Sequence, residues 1–365
     1  MTHQDDFKAA CIQFGLGDRL DIENYPDVPA FPVYRHTREV AHELINSASE
    51  HLPNLPRIYF DFIEASEVNA VAFKHNEHYF IGITAGAISM LHLVLDRILA
   101  NPNTFPNIGN PTDERNDLPQ VPWSILDPER LFKMGVRPVL PQDSKRAIYS
   151  KHLADQPLMF LVGHEIAHIS RGHVDYLGSK TGSPFVAELG WKGKGEAAIE
   201  RQAIEVDADR RSVVARSHSM FMTANVNKTL ALAWQDSPAS IESFQYDWAF
   251  AVNVLFRLFG DKRFSGINLD LNPYPPLPLR RRMAMDYASH VLLENWGEDH
   301  KDKIEYAIDG SVKATEFSFR TIGADPAEGG LADAFSDDAN AHIQKIIHCW
   351  DDIKQKLFKY SRETL

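Results

Sequence analysis

The residues best suited to chemistry stand at 164–168, His164-Glu165-Ile166-Ala167-His168. Positions four apart on an α-helix share one face, so both imidazoles can bind a single divalent ion. The glutamate between them can then take a proton from a water activated there, the arrangement of hydrolytic zinc sites. A catalytic Zn²⁺, one per chain, takes a third protein ligand and leaves its fourth position open. The metzincin spacing would need glycine at 171 and histidine at 174. The chain has Arg171 and Val174, with His173 out of register by one. A carboxylate from a second helix is the alternative. Glu205 lies 37 residues beyond His168 and shares a helical face with Asp209. Glu205 is therefore the expected third ligand, Glu200 the reserve, and Asp209 the acceptor for the free N–H of a ligating imidazole. Asp207 is expected to point elsewhere.

These residues need two helices facing each other. The run DQPLMFLVGHEIAHISRGHV, with Asp155 as cap and Pro157 in the first turn, predicts a helix over about 156–172. The pattern GEAAIERQAIEVDADRRSVVARSHSMF predicts a second helix from about 196. Residues 178–195, with five glycines and three lysines, read as a loop able to act as a lid. Upstream, a helix is predicted over 37–51, a small meander of three strands over 57–84, and a helix over 85–99. The stretch 101–141 carries eight prolines and reads as an irregular insertion. The expected fold class is α+β, predominantly helical, with a small antiparallel or mixed sheet packed on the histidine-bearing helix. Residues 1–36 are expected to be an irregular N-terminal segment. Residues 37–285 would form the site-bearing domain with an insertion at 100–145, and 286–365 a mostly helical C-terminal extension.

Composition narrows the function classes. A formal net charge of −12 over 365 residues argues against general nucleic-acid binding. Cys11 and Cys349 stand near opposite ends, which excludes a dense disulfide framework and fits a reducing compartment. The apolar runs at 81–100 and 249–259 are interrupted by polar residues, and the acidic start lacks the features of an export signal. A soluble, cytoplasmic protein without membrane insertion is expected.

HEIAHISRGH, followed by the Glu-x-x-Ala-Asp of Glu205 to Asp209, resembles the zinc peptidases that include the HtpX heat-shock protease and the CAAX prenyl endopeptidase. PRIYFDF, Asn69-Ala70-Val71-Ala72 and FIGITAGAI are similar to that family's strand, Asn-Ala-x-Ala and strand-to-helix unit. NPYPPLPLRRR resembles its HPxxxxR element, with Tyr274 in the histidine's place and Arg280 at the arginine. The resemblance covers roughly 37–285 and implies a zincin-like fold hydrolysing peptide bonds in peptide or protein substrates. It implies His164, His168 and Glu205 as zinc ligands, Glu165 as general base and Asp209 behind the ligands. Asn69, Ala70, Val71 and Ala72 would offer a strand edge to an extended substrate, and Tyr274 or Arg280 would hold the oxyanion. The family's membrane segments are missing. In size and motif position the chain also resembles the phage-exclusion peptidase Lit, which suggests one specific host protein as target. Two alternatives stay open: a non-catalytic, zinc-stabilised interaction protein, and a latent peptidase with residues 100–145 lying over its cleft.

Overall fold

Three strands rich in β-branched and aromatic residues, β2 (Ile58–Glu64), β3 (Ala70–His75) and β4 (His78–Thr84), form the centre of a mixed sheet. Two short strands, β1 (Asp18–Arg19) and β5 (Phe185–Ala187), complete the order β1-β2-β4-β3-β5. The computed structural model describes residues 2–24, 31–119, 121–123, 127–182, 185–187, 196–226, 241–260, 263–325 and 327–365. The expected meander is corrected: β2 runs parallel to β4, and only β3 and β4 form a hairpin. The connection at 65–69 explains the crossover. Gly86 N–H donates to the Ala65 carbonyl at 2.9 Å, and Thr84 Oγ1 donates to the Glu67 carbonyl at 2.6 Å. The chain is thus carried across the end of β4 before β3 begins. Gly86 makes this possible, because a Cβ there would lie 2.0 Å from the Ser66 carbonyl oxygen.

Alternation along the strands gives the sheet two apolar faces. Phe60, Phe62, Ala70, Ala72, Ile81 and Ile83 join the main core, while Ile63, Val71, Phe73 and Phe80 pack under Phe7, Ala10 and Cys11. These last three belong to α1 (His3–Phe14), which stands where an irregular segment is expected. A capping box between Thr2 and Asp5 starts α1, and Gly15 at φ +69° ends it. The box was visible in the sequence; the helix it starts is only 12 residues long. α2 (Phe31–His51) begins before Thr37, its Pro32 tolerated in the first turn, and α3 (Ala85–Leu99) matches expectation.

The site-bearing helix α5 (Ser144–Ser170) is 27 residues long and starts 12 residues before the expected position. Asp143, not Asp155, caps it, and Pro157 lies inside it. Burial on both sides holds the helix through Pro157, although the pyrrolidine nitrogen offers no hydrogen bond to the preceding turn. Asp155 instead faces His36 Nε2 at 2.9 Å. α4 (Pro128–Lys133) is the α-helical part of the Pro-rich insertion. The insertion is anchored at the N-terminal end of α5. There Arg146, fully buried, donates from Nε to Leu99 O, from Nη1 to Phe105 O and Ile108 O, and from Nη2 to Asn101 O and Thr104 O, all at 2.7–3.0 Å. His164 is 18 residues further on, about 27 Å at ~1.5 Å rise per residue. The anchored stretch 99–108 therefore stands well away from His164. Arg146→Met is expected to cost about 3–5 kcal/mol, because it removes the buried donors to five carbonyls and the positive charge 3.5 Å from the Glu114 carboxylate. A fall in the urea midpoint checks this. Arg146→Lys should recover little, since an ammonium has three donors where the guanidinium has five.

α6 (His173–Thr181), α7 (Glu196–Val226), α8 (Ile241–Phe259), α9 (Leu277–Trp296), α10 (Lys301–Thr321), α11 (Glu328–Ala334) and α12 (Asp337–Leu357) complete the chain. α8 carries the buried Trp248, Phe250 and Phe256, α10 packs along it, and α12 packs along α7. The last residues return to the end of α5. Arg362 N–H donates to Ser170 O at 2.7 Å, and the Glu363 carboxylate accepts from Ser170 Oγ and Arg211 Nε, each at 2.7 Å. The C-terminal extension is therefore part of the frame around the site. Among the described residues no helix is long and apolar enough to cross a membrane.

Candidate metal centre

Gly163, one residue before His164, lets α5 and α7 meet closely: a Cβ there would lie 2.7 Å from Ser212 Oγ. Ser212 fixes the contact by donating to Phe160 O at 2.8 Å. The result brings ligand atoms of His164, His168 and Glu205 within 4.8 Å of one another, all three side chains buried. His164 Nε2 and His168 Nε2 stand 2.9 Å apart, with Glu205 oxygens 3.5 and 3.8 Å from them.

Partners on the far side of each ring assign the tautomers. His164 Nδ1 lies 2.9 Å from Asp209 Oδ1, an acceptor, so Nδ1 carries the proton and Nε2 presents its lone pair. His168 Nδ1 lies 3.0 Å from His173 Nδ1, and His173 Nε2 lies 3.3 Å from Asp207. Asp207 takes the proton side of His173. The ring's Nδ1 must then accept, and His168 also turns a bare Nε2 inward. Two lone pairs and a carboxylate converging on one buried point repel each other unless a cation sits among them. The fit to a divalent metal rests on this donor set.

His173 and Asp207 were missed by spacing. His173 fails the metzincin register as a direct ligand, but Gly172 at φ +79° breaks the helix and brings the next residue back alongside His168. A Cβ at Gly172 would meet the Tyr360 backbone at 2.5 Å, so the C-terminal segment requires this glycine too. Asp207 points away from the ligand trio, yet it is 2% exposed and pairs with Arg171 as well as His173. A cluster of histidines beside an acidic run was the available signal. Glu200 is not a ligand here, being held by Tyr176 and Lys180. His173→Ala is expected to weaken metal binding about 10–100-fold, the usual effect of removing the partner of a ligating histidine. Competition with a chromophoric chelator measures it.

The ionisation states suit a metal. Burial, together with His164, His173, Arg201 and Arg280, holds the His168 pKa well below the ordinary histidine value, so the ring is neutral. Burial pushes Glu205 up, but Arg201, His164 and Arg280 outweigh it and keep the carboxylate ionised. Asp209 behaves alike, burial being outweighed by Arg280 and His164. Glu205, Asp207 and Asp209 pair with three buried guanidiniums: Arg201 with Glu205, Arg171 with Asp207, and Arg280 with Asp209. Arg201 Nη2 contacts Glu205 at 2.9 Å and lies over the ring of Tyr274, its guanidinium carbon 5.6 Å from the centroid. Arg280 donates from Nε and Nη2 to Asp209 at 2.8 and 2.7 Å, with Nη1 3.8 Å from Glu205.

Compared with family models, curated proteins and solved structures, the chain finds no match. The site is therefore read from its own geometry.

The strand expected beside the cleft exists but is not a free edge. Asn69 Oδ1 accepts from Ala70 N–H at 3.0 Å, and Val71, Ala72 and Phe73 pair with Ala187, Val186 and Phe185 of β5. A segment between the two helices that carry His164, His168 and Glu205 has taken the place expected for substrate. Of the lid expected at 178–195, residues 178–181 end α6 and 185–187 form β5, while 183–184 and 188–195 lie outside the described residues.

Proposed function

We propose that the protein is a zinc-dependent endopeptidase. The observation that carries this reading is the convergence of two inward-turned Nε2 lone pairs and the Glu205 carboxylate beside a buried glutamate, Glu165. His164, His168 and Glu205 would hold the ion. When bound, zinc would polarise a scissile carbonyl and lower the pKa of a water. Glu165 would take that water's proton and deliver it to the leaving amine. Asp209 and His173 keep the two imidazoles in the ligating tautomer; Arg280 holds Asp209, and Arg171 holds the Asp207 that faces His173. Because Arg280 already bonds Asp209 twice, its role is positioning. Tyr274, half-buried and stacked by Arg201, is the better oxyanion donor of the two. An extended substrate would pair outside β5 or replace it, since β3 is covered. One folded protein as sole target fits this restriction better than many loose peptides.

Full burial of His164, Glu165 and Glu205 favours a second reading, a structural zinc in a non-catalytic interaction protein. Against it, structural zinc usually has four protein ligands, and three donors group here among the described residues. The test is the set of new peptide N-termini that the zinc-loaded chain generates in a cell lysate. Termini that depend on the chain and vanish with Glu165→Gln support the peptidase. Their absence, with tightly held zinc, supports the structural reading.

A further inference from the structure

We propose a second metal site, formed by His3, Asp6 and His78 on the opposite face of the sheet from α5. One ligand atom from each residue lies within 4.8 Å of the others. His3 and Asp6 stand three apart in the first turn of α1 and so project from one helical face. His78 opens β4 and points to the same side as Phe80, which packs against α1 through Phe7.

Three further observations favour a ligand here. The His3 ring is fixed by stacking on Tyr59, with centroids 3.7 Å apart, and meets His78 edge-on at 5.0 Å. Its Nδ1 is buried with no hydrogen-bond partner among the described residues, a position that costs free energy unless something accepts the lone pair or proton. The turn that presents His78 is also strained. Asn76 and Glu77 both adopt positive φ, +47° and +64°, in a two-residue hairpin whose second position favours glycine. Asn76 Nδ2 donates to Asp6 Oδ1 at 3.0 Å, which ties this turn to α1 and aims the carboxylate at the two rings. Strain of this kind concentrates where a ligand is held.

Two imidazoles and one carboxylate form a borderline donor set. It suits Zn²⁺, Co²⁺ or Ni²⁺ and disfavours Mg²⁺ and Ca²⁺, which take oxygen ligands. The positive end of the α1 dipole disfavours a cation, and the Asp6 carboxylate offsets it. Bound there, the ion would join residues 3 and 6 to residue 78, fastening α1 over the smaller core. The site shares no residue with the His164 centre and does not depend on peptidase activity.

The test uses full-length protein stripped of metal, reloaded with Zn²⁺ and passed through gel filtration, with bound zinc counted by elemental mass spectrometry. Wild type is expected to retain one more zinc per chain than His78→Ala. Asp6→Asn, which preserves the acceptor for Asn76, should lose the same equivalent without disturbing the fold. Glu205→Ala should keep it, which separates this site from the first. Overturning results are equal zinc content in wild type and Asp6→Asn, or a Glu205→Ala protein that retains no zinc while its circular dichroism matches wild type.

Discussion

Glu165→Gln is expected to retain zinc and lose about 10²–10⁴ in turnover, the range that a positioned general base contributes. The amide is isosteric with the carboxylate, so the packing around this fully buried side chain is preserved. What disappears is the basic oxygen that must accept a proton and later surrender it. Metal content should stay near wild type, because the ligands and their hydrogen-bonded partners are untouched. Counting lysate neo-N-termini, or kcat on a substrate found that way, measures the loss. Turnover within a few-fold of wild type would remove Glu165 from the mechanism.

Glu205→Ala should do more damage, on two separable counts. It removes one of three ligands, so zinc affinity should fall by more than the roughly 100-fold that an outer partner can account for. It also strips two buried guanidiniums, Arg201 at 2.9 Å and Arg280 at 3.8 Å, of a carboxylate. Removing one member of a buried ion pair costs about 3–5 kcal/mol. The metal-free variant should therefore unfold at lower denaturant than metal-free wild type, whose Glu205 is still paired. Equal midpoints for the two apo proteins, with zinc binding lost in the variant, would confine Glu205 to ligation alone.

The ligand trio was legible because helical periodicity is local: four-residue spacing put His164 with His168, and Glu205 with Asp209, on common faces. The pieces that make the trio work were not. His173 reaches His168 through a left-handed glycine at 172, and no spacing rule for a continuous helix anticipates that detour. Arg280 was found as a motif position, yet its bond to Asp209 spans 71 residues and belongs to tertiary packing. The same limit produced the errors in the fold. Asp155 before Pro157 has every local mark of a helix start, and only burial on both sides of α5 overrides it. The order of β2, β3 and β4 is set by hydrogen bonds from Thr84 and Gly86 to the 65–69 connection, which strand patterning does not contain. Short α1 lay hidden because its 12 residues depend on the sheet beneath them for stability.

The clasp of Arg362 and Glu363 on Ser170 has a bearing on how the protein is made. The Ser170–Glu363 bond joins points 193 residues apart, with Trp350 against Arg171 on the way. At roughly 5–20 residues per second of synthesis, that separation is on the order of ten to forty seconds. Glu205 is made 35 residues after Ser170, so for most of that interval both histidines and the carboxylate are already in the chain while the final brace on α5 is missing. A nascent chain thus carries the three candidate ligands well before it carries the residues that brace them, and the brace on α5 can close only after residues 362 and 363 have been made.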